Sequence, residues 1–309
     1  MTNSEKKRLE FSQRALQCLN NQFGLEDDVV GNKELMLSTY MTIFSKLFDD
    51  REPLSKSDDE LLEIVKTAYR SSSTTPLPKY SNPLCGRPLW NPIDRKALIA
   101  IQSSEGESDR YKKLFAKKIL TYTRNAIQHG NFDLNDDGTI TLWETYHNKP
   151  DKKFEITYEF DCLVDICDKL KGKTELLSFE AFLEHLKSNK KETLPLTDDN
   201  KLIYFDLFTN TLIAYNSHLA YDENNIYEFN QRYGTALDRS KIAHIRNSST
   251  HSYRTINNDT INVIDYYDSD KTLPSTSGFL IDFNDIINLS KRLSKVKSKQ
   301  PDENTPVDK

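Results

Sequence analysis

A six-residue motif that occurs twice constrains this chain more than any other feature. Arg124-Asn125-Ala126-Ile127-Gln128-His129 returns 122 residues later (124 to 246) as Arg246-Asn247-Ser248-Ser249-Thr250-His251. The residues that follow keep step. Thr139-Ile140-Thr141-Leu142-Trp143-Glu144-Thr145-Tyr146 lines up with Thr260-Ile261-Asn262-Val263-Ile264-Asp265-Tyr266-Tyr267, so apolar, acidic and aromatic positions coincide. Further on, Glu159-Phe160-Asp161 lines up with Asp282-Phe283-Asn284. Duplication of a scaffold accounts for the apolar matches, because a core must be filled in both copies. It gives no packing reason for Arg, Asn and His to survive at fixed offsets, and that survival points to chemistry.

Periodicity fills in the elements around the motifs. Ser4 to Phe23 and Lys33 to Phe48 read as helices, the second with Leu35, Leu37, Tyr40, Ile43, Leu47 and Phe48 on its apolar side, and Asp58 to Tyr69 reads as a third. A long Ser-, Pro- and Asn-rich loop occupies 71–107. The helix opened by Asp109 places Tyr111, Leu114, Phe115, Ile119 and Tyr122 on one face, carries the first motif and stops at Gly130, a helix-ending residue. Thr139 to Tyr146 and Phe154 to Phe160 alternate as a β-hairpin, and helices follow over Asp161 to Leu170 and Ser178 to Leu186. The polar stretch Ser188 to Asp199 is the expected domain boundary. One helix over Asn200 to His218 and another over Asn225 to His251 lead to the second motif. The reading is therefore mostly α: a first domain over 1–192, a second over 193–296, and a disordered tail over 297–309.

Composition sets limits on function. Hydrophobic residues make up 37% and charged residues 29% of the chain, which excludes global disorder. The net charge of −5 gives no whole-chain support to nucleic-acid binding, so any such site has to be a local basic surface. Cys18, Cys85, Cys162 and Cys167 form no Cys-x-x-Cys pair, which fits reduced thiols in a cytoplasmic protein. Met1 to Phe11 is polar and not a signal peptide, and no apolar run nears the roughly 20 residues of a membrane-spanning helix.

The two motifs resemble those of the HEPN superfamily, whose ribonuclease branch carries Arg, a polar residue that is often Asn, a short spacer, and His. The first copy continues His129-Gly130-Asn131-Phe132, a form common in that branch. The resemblance covers nearly the whole chain as two copies. It implies two helical bundles, each with a small β-hairpin after the motif helix, related by a pseudo-two-fold so that both motifs face one cleft. That cleft would be intramolecular in a monomer or shared in a homodimer. It also implies cleavage of single-stranded RNA without metal or other cofactor, in a toxin–antitoxin or anti-phage setting. The partner there is an antitoxin or a nucleotidyltransferase, and Tyr253, two residues after His251, matches a modification site of toxins paired with the latter.

The residue types suit that chemistry. Metal-free RNA cleavage uses the neighbouring 2′-hydroxyl as nucleophile and needs a base, an acid and positive charge on the phosphorane. His129 and His251 exchange protons near neutral pH, and Arg124 and Arg246 hold phosphate oxygens while staying charged. Asn125 and Asn247, four residues before each histidine, are placed to orient the imidazole or contact phosphate. Lys117 and Lys118 on the motif helix, and Arg254 in the second copy, are candidate RNA contacts. Two rivals stand beside this reading. One is a non-catalytic module that binds RNA, nucleotide or protein. The other is a calcium-binding regulator, since Asp133, Asn135, Asp137, Gly138, Ile140 and Glu144 match an EF-hand loop, although the strand pattern there favours a turn.

Overall fold

The computed structural model describes residues 3–27, 31–47, 57, 59–64, 109–145, 152–169, 176–188, 192–215, 223–233, 235–236, 238–250, 254–264 and 279–295. The whole loop over 71–107, His251, Tyr253 and the tail over 297–309 therefore lie outside the described residues. The fold is mostly helical with small antiparallel sheets. In order come α1 (Asn3–Gln22), α2 (Lys33–Leu47), a helical turn at 59–64, α3 (Asp109–Gln128), β1 (Phe132–Leu134), β2 (Thr139–Thr145), β3 (Lys152–Glu159), α4 (Phe160–Lys169) and α5 (Leu177–Lys187). Then follow α6 (Asp198–Tyr215), α7 (Glu223–Tyr233), α8 (Arg239–Thr250), β4 (Arg254–Asn257), β5 (Thr260–Val263), β6 (Phe279–Asp282) and α9 (Phe283–Ser294). No described helix is long and apolar enough to cross a membrane.

Helix ends follow local chemistry. α1 stops at Gly24, whose φ of +66° is free of the Cβ penalty; Leu25 N–H donates to the Asn20 carbonyl at 2.8 Å and Gly24 N–H to Asn21 at 3.0 Å, closing the helix end. The single helix expected over Asn225 to His251 is instead two, α7 and α8. Apolar periodicity runs through the break, but Asp238 caps a fresh start: its carboxylate accepts from Lys241 N–H at 2.8 Å. Thr235 turns back on α7, its N–H and hydroxyl donating to the carbonyl and side-chain oxygens of Asn230.

Each motif helix runs into a three-stranded antiparallel sheet, ordered β1-β2-β3 and β4-β5-β6. The expected hairpin in the first copy is β2–β3, with Ile140 opposite Tyr158 and Leu142 opposite Ile156. The leading strands β1 and β4 were not expected, since three or four residues show no alternation to read. Ile140, Leu142, Ile261 and Val263 fill the buried faces. In both copies a lysine from an upstream helix clamps the hairpin turn: Lys7 pairs with Asp136 at 2.6 Å and Lys201 with Asp259 at 2.8 Å.

One continuous apolar core runs from Phe11 to Leu293 and includes residues from both sides of the 188–198 stretch. α1 packs on both α6 and α9. Tyr204 lies edge-on to Phe23 and Phe283 with ring centroids 5.5 and 5.4 Å away, and its hydroxyl donates to buried Asn20. Helix α2 is enclosed almost all round, including Ser38, Thr39, Thr42, Ser45 and Lys46. Its two buried threonines are satisfied locally before α6 reaches them, Thr39 donating to the Leu35 carbonyl and Thr42 to that of Ser38, while Asn210 of α6 donates to Thr42 at 2.7 Å. The sequence showed only its apolar side.

Cys18, Cys162 and Cys167 are buried free thiols. Burial pushes the Cys18 thiol up to about 12 from an ordinary 9.0. The thiolate is the reactive form, so native protein at about pH 8 is expected to leave these three cysteines unalkylated, with rapid reaction once unfolded. Peptide mapping by mass spectrometry reads this directly. The linkage has a sign as well: the unfolded thiol ionises above its ordinary value while the folded one keeps its proton, so this group's contribution to stability falls as pH rises from about 9.

Candidate active site

The first motif occupies the last turn of α3. Arg124 is buried, and its Nη1 donates to the Asn125 side-chain oxygen at 3.0 Å. Asn125 thus steadies the arginine rather than the imidazole. Its backbone carbonyl accepts from His129 N–H at 2.9 Å, which sets the histidine at the helix end. The turn then closes as α1 does, with Asn131 N–H on the Ala126 carbonyl at 2.8 Å and Gly130 N–H on that of Ile127 at 3.1 Å.

Gly130 is required twice over. Its φ is +66°, and a Cβ there would stand 2.7 Å from the Ile213 carbonyl oxygen of α6. Gly130→Ala is expected to lose on the order of 2–3 kcal/mol, combining left-handed strain with overpacking against backbone. Gly138, at φ +83° with open space around it, isolates the strain alone, so Gly138→Ala should lose only about 1 kcal/mol. Urea unfolding of the two variants checks the order, and equal losses would contradict the packing argument.

In the second motif Arg246 donates from Nη2 and Nε to the Asn247 side-chain oxygen, at 3.1 and 3.3 Å. The Arg-to-Asn clamp therefore recurs in both copies. Ser248 and Ser249 are buried, and Lys46 of α2 donates to the Ser249 carbonyl, satisfying an acceptor that the helix end leaves open. Lys46 also pairs with the wholly buried Asp206 of α6 at 2.9 Å, and Arg254 of β4 pairs with the same carboxylate. The expectation that Arg254 lines an RNA track is corrected here. Only 10% of its side chain is exposed, and its charge is committed to Asp206.

The motif helices share supports: α2 packs on both α3 and α8, and α6 meets the end of α3 at Ile213 and packs along α8. His251 and Tyr253 lie outside the described residues, and so do the side chains of Lys117 and Lys118, whose backbone belongs to α3.

The EF-hand match resolves into strand, turn and strand. Asp133 lies on β1 and faces Arg8 at 3.6 Å. The Asn135 amide donates to the Thr139 and Thr141 hydroxyls at 2.8 and 2.9 Å, and the Asp137 carboxylate accepts from the Thr139 N–H and hydroxyl, which holds its pKa below the ordinary value. An EF-hand needs a helix leaving the loop, and β2 stands there instead. Among the described residues no group of three or more His, Cys, Asp or Glu side chains is placed to hold a metal ion.

Glu144, which sequence reading placed in that loop and in the repeat but not among the candidate catalytic residues, stands beside His129. It is buried, with a carboxylate oxygen 3.9 Å from His129 Nδ1. Its acidic partner in the repeat, Asp265, was the available signal. Comparison with protein-family models, with curated proteins and with solved structures finds no match for this chain.

Proposed function

We propose that this chain is a metal-independent endoribonuclease of the HEPN type, with two pseudo-two-fold-related helical bundles that bring both motifs to one site. The observation that carries the reading is the repeated clamp: in each copy the arginine donates to the amide oxygen of the next residue, in the last turns of a helix that runs into a three-stranded sheet. Two guanidinium groups held alike suit the two halves of a phosphate cradle. His129, with 30% of its side chain exposed, is available to a substrate. In the mechanism one histidine takes the 2′-hydroxyl proton, the 2′-oxygen attacks phosphorus, and the other histidine protonates the departing 5′-oxygen. The arginines balance charge on the phosphorane. The substrate is single-stranded RNA, the setting cytoplasmic, and the partner an antitoxin or nucleotidyltransferase. The composite site forms within one chain or across a homodimer.

The test is RNA cleavage in EDTA beside a calcium titration and a DNA control. RNA cut in chelator, with DNA intact and no response to calcium, is the expected result. RNA bound but uncut identifies a non-catalytic module, and activity or binding that appears only with calcium identifies the regulator. The rate should fall toward acid pH as the base histidine takes up a proton.

A further inference from the structure

Along β2, Ile140, Leu142 and Glu144 point to one face, and all three are buried. The first two are core residues, 1% exposed each. A carboxylate as third member of that row needs a cationic or hydrogen-bonding partner to offset its desolvation. The backbone brings the partner within reach. Trp143 N–H donates to the Asn131 carbonyl at 3.0 Å and lashes β2 to the end of the motif helix. The register shifts between Glu144 and Thr145, an irregularity of the kind that re-aims a side chain beside a site. The carboxylate then stands 3.9 Å from His129 Nδ1, an ionic separation longer than a hydrogen bond, which movement of the two side chains has to close.

We infer that Glu144 is a positioning residue for His129: its carboxylate accepts the Nδ1 proton, fixes that tautomer, and leaves Nε2 as the nitrogen presented to substrate. The same carboxylate stabilises the imidazolium once Nε2 has taken a proton. Asp265 at the matching position of the repeat supplies an acid of the same kind in the second copy. The inference deepens the ribonuclease reading and rests on it for its catalytic meaning, while the tautomer is measurable without any substrate.

The experiment is 15N NMR of histidine-labelled full-length protein, with His129→Ala to assign the ring signals. Neutral His129 is expected as the Nδ1–H form in wild type and in Glu144→Asp. In Glu144→Gln the amide can donate to Nδ1, so the Nε2–H form should take over while the unfolding midpoint stays close to wild type. On an RNA substrate Glu144→Gln should lower kcat about ten-fold or more with KM within about two-fold, and Glu144→Asp should retain most of kcat. A merely structural glutamate would leave the tautomer unmoved. An Nε2–H ring in wild type, or a ring indifferent to Glu144→Gln, overturns the inference whatever the cleavage result. An Nδ1–H ring that switches in Glu144→Gln, in a protein that cuts no RNA, upholds the pairing and removes only the ribonuclease reading.

Discussion

Asp206→Ala is expected to destabilise the protein by about 3–5 kcal/mol, the usual consequence of removing one partner from a buried ion cluster. The aspartate side chain is wholly buried, and its two cationic partners expose only 6% (Lys46) and 10% (Arg254) of theirs. The substitution removes the carboxylate that both cations share, with little solvent to compensate its loss. Lys46 also serves the Ser249 carbonyl, so damage at Asp206 reaches the second motif. The exposed Glu184–Lys187 pair on α5 is the control, with 67% of the glutamate side chain in solvent. Glu184→Ala should change stability by less than about 1 kcal/mol, because water and salt already screen that contact. Urea unfolding of both variants decides the matter. A loss below about 1 kcal/mol at Asp206 would mean that the cluster does not hold the motif helix.

His129→Ala is expected to slow RNA cleavage by about 10²–10⁴-fold, the range for a positioned proton-transfer group, and to cost some stability because the buried Glu144 carboxylate loses the imidazole beside it. The imidazole lies outside the apolar core cluster, and the backbone bond from its N–H to Asn125 survives the substitution, so the fold itself should stand. Arg246→Ala should have an effect of the same order through lost charge on the phosphorane. Its guanidinium is bonded to Asn247, and the Lys46–Asp206–Arg254 cluster that supports the second motif stays intact in this variant. Full activity in Arg246→Ala would show the second motif to be idle, and full activity in both variants would remove the catalytic assignment. Single-turnover rates with circular dichroism of each variant separate chemistry from unfolding.

Much of the fold was legible because its signals are local. The stops at Gly24 and Gly130 are written in single residues whose positive φ suits glycine. β2–β3 could be read because apolar and polar residues alternate across the pleat, and the repeat put both motif helices before their sheets. What escaped depends on partners distant in sequence. Lys46, Asp206 and Arg254 meet only after folding, so nothing near Arg254 distinguishes an inward guanidinium from one facing solvent. The buried hydroxyls of α2 look like a solvated side until α6 is placed against them. The α7–α8 break hid because apolar spacing ran through it, although Asp238 was a visible cap. Glu144 was legible as a matched acid but was absorbed by the stronger pattern of a calcium loop, whose local spacing the turn also satisfies.

The claim that Arg, Asn and His here carry 2′-hydroxyl chemistry is tested most directly at the ends of the product. A single-stranded RNA, cut by the purified full chain in EDTA, should yield a 2′,3′-cyclic phosphate on one fragment and a 5′-hydroxyl on the other. The second fragment is then labelled by polynucleotide kinase without prior phosphatase. The same oligonucleotide with a 2′-deoxy sugar at the cut position should stay intact. A 5′-phosphate end, cleavage of the deoxy substrate, or an absolute need for Mg²⁺ would contradict the account.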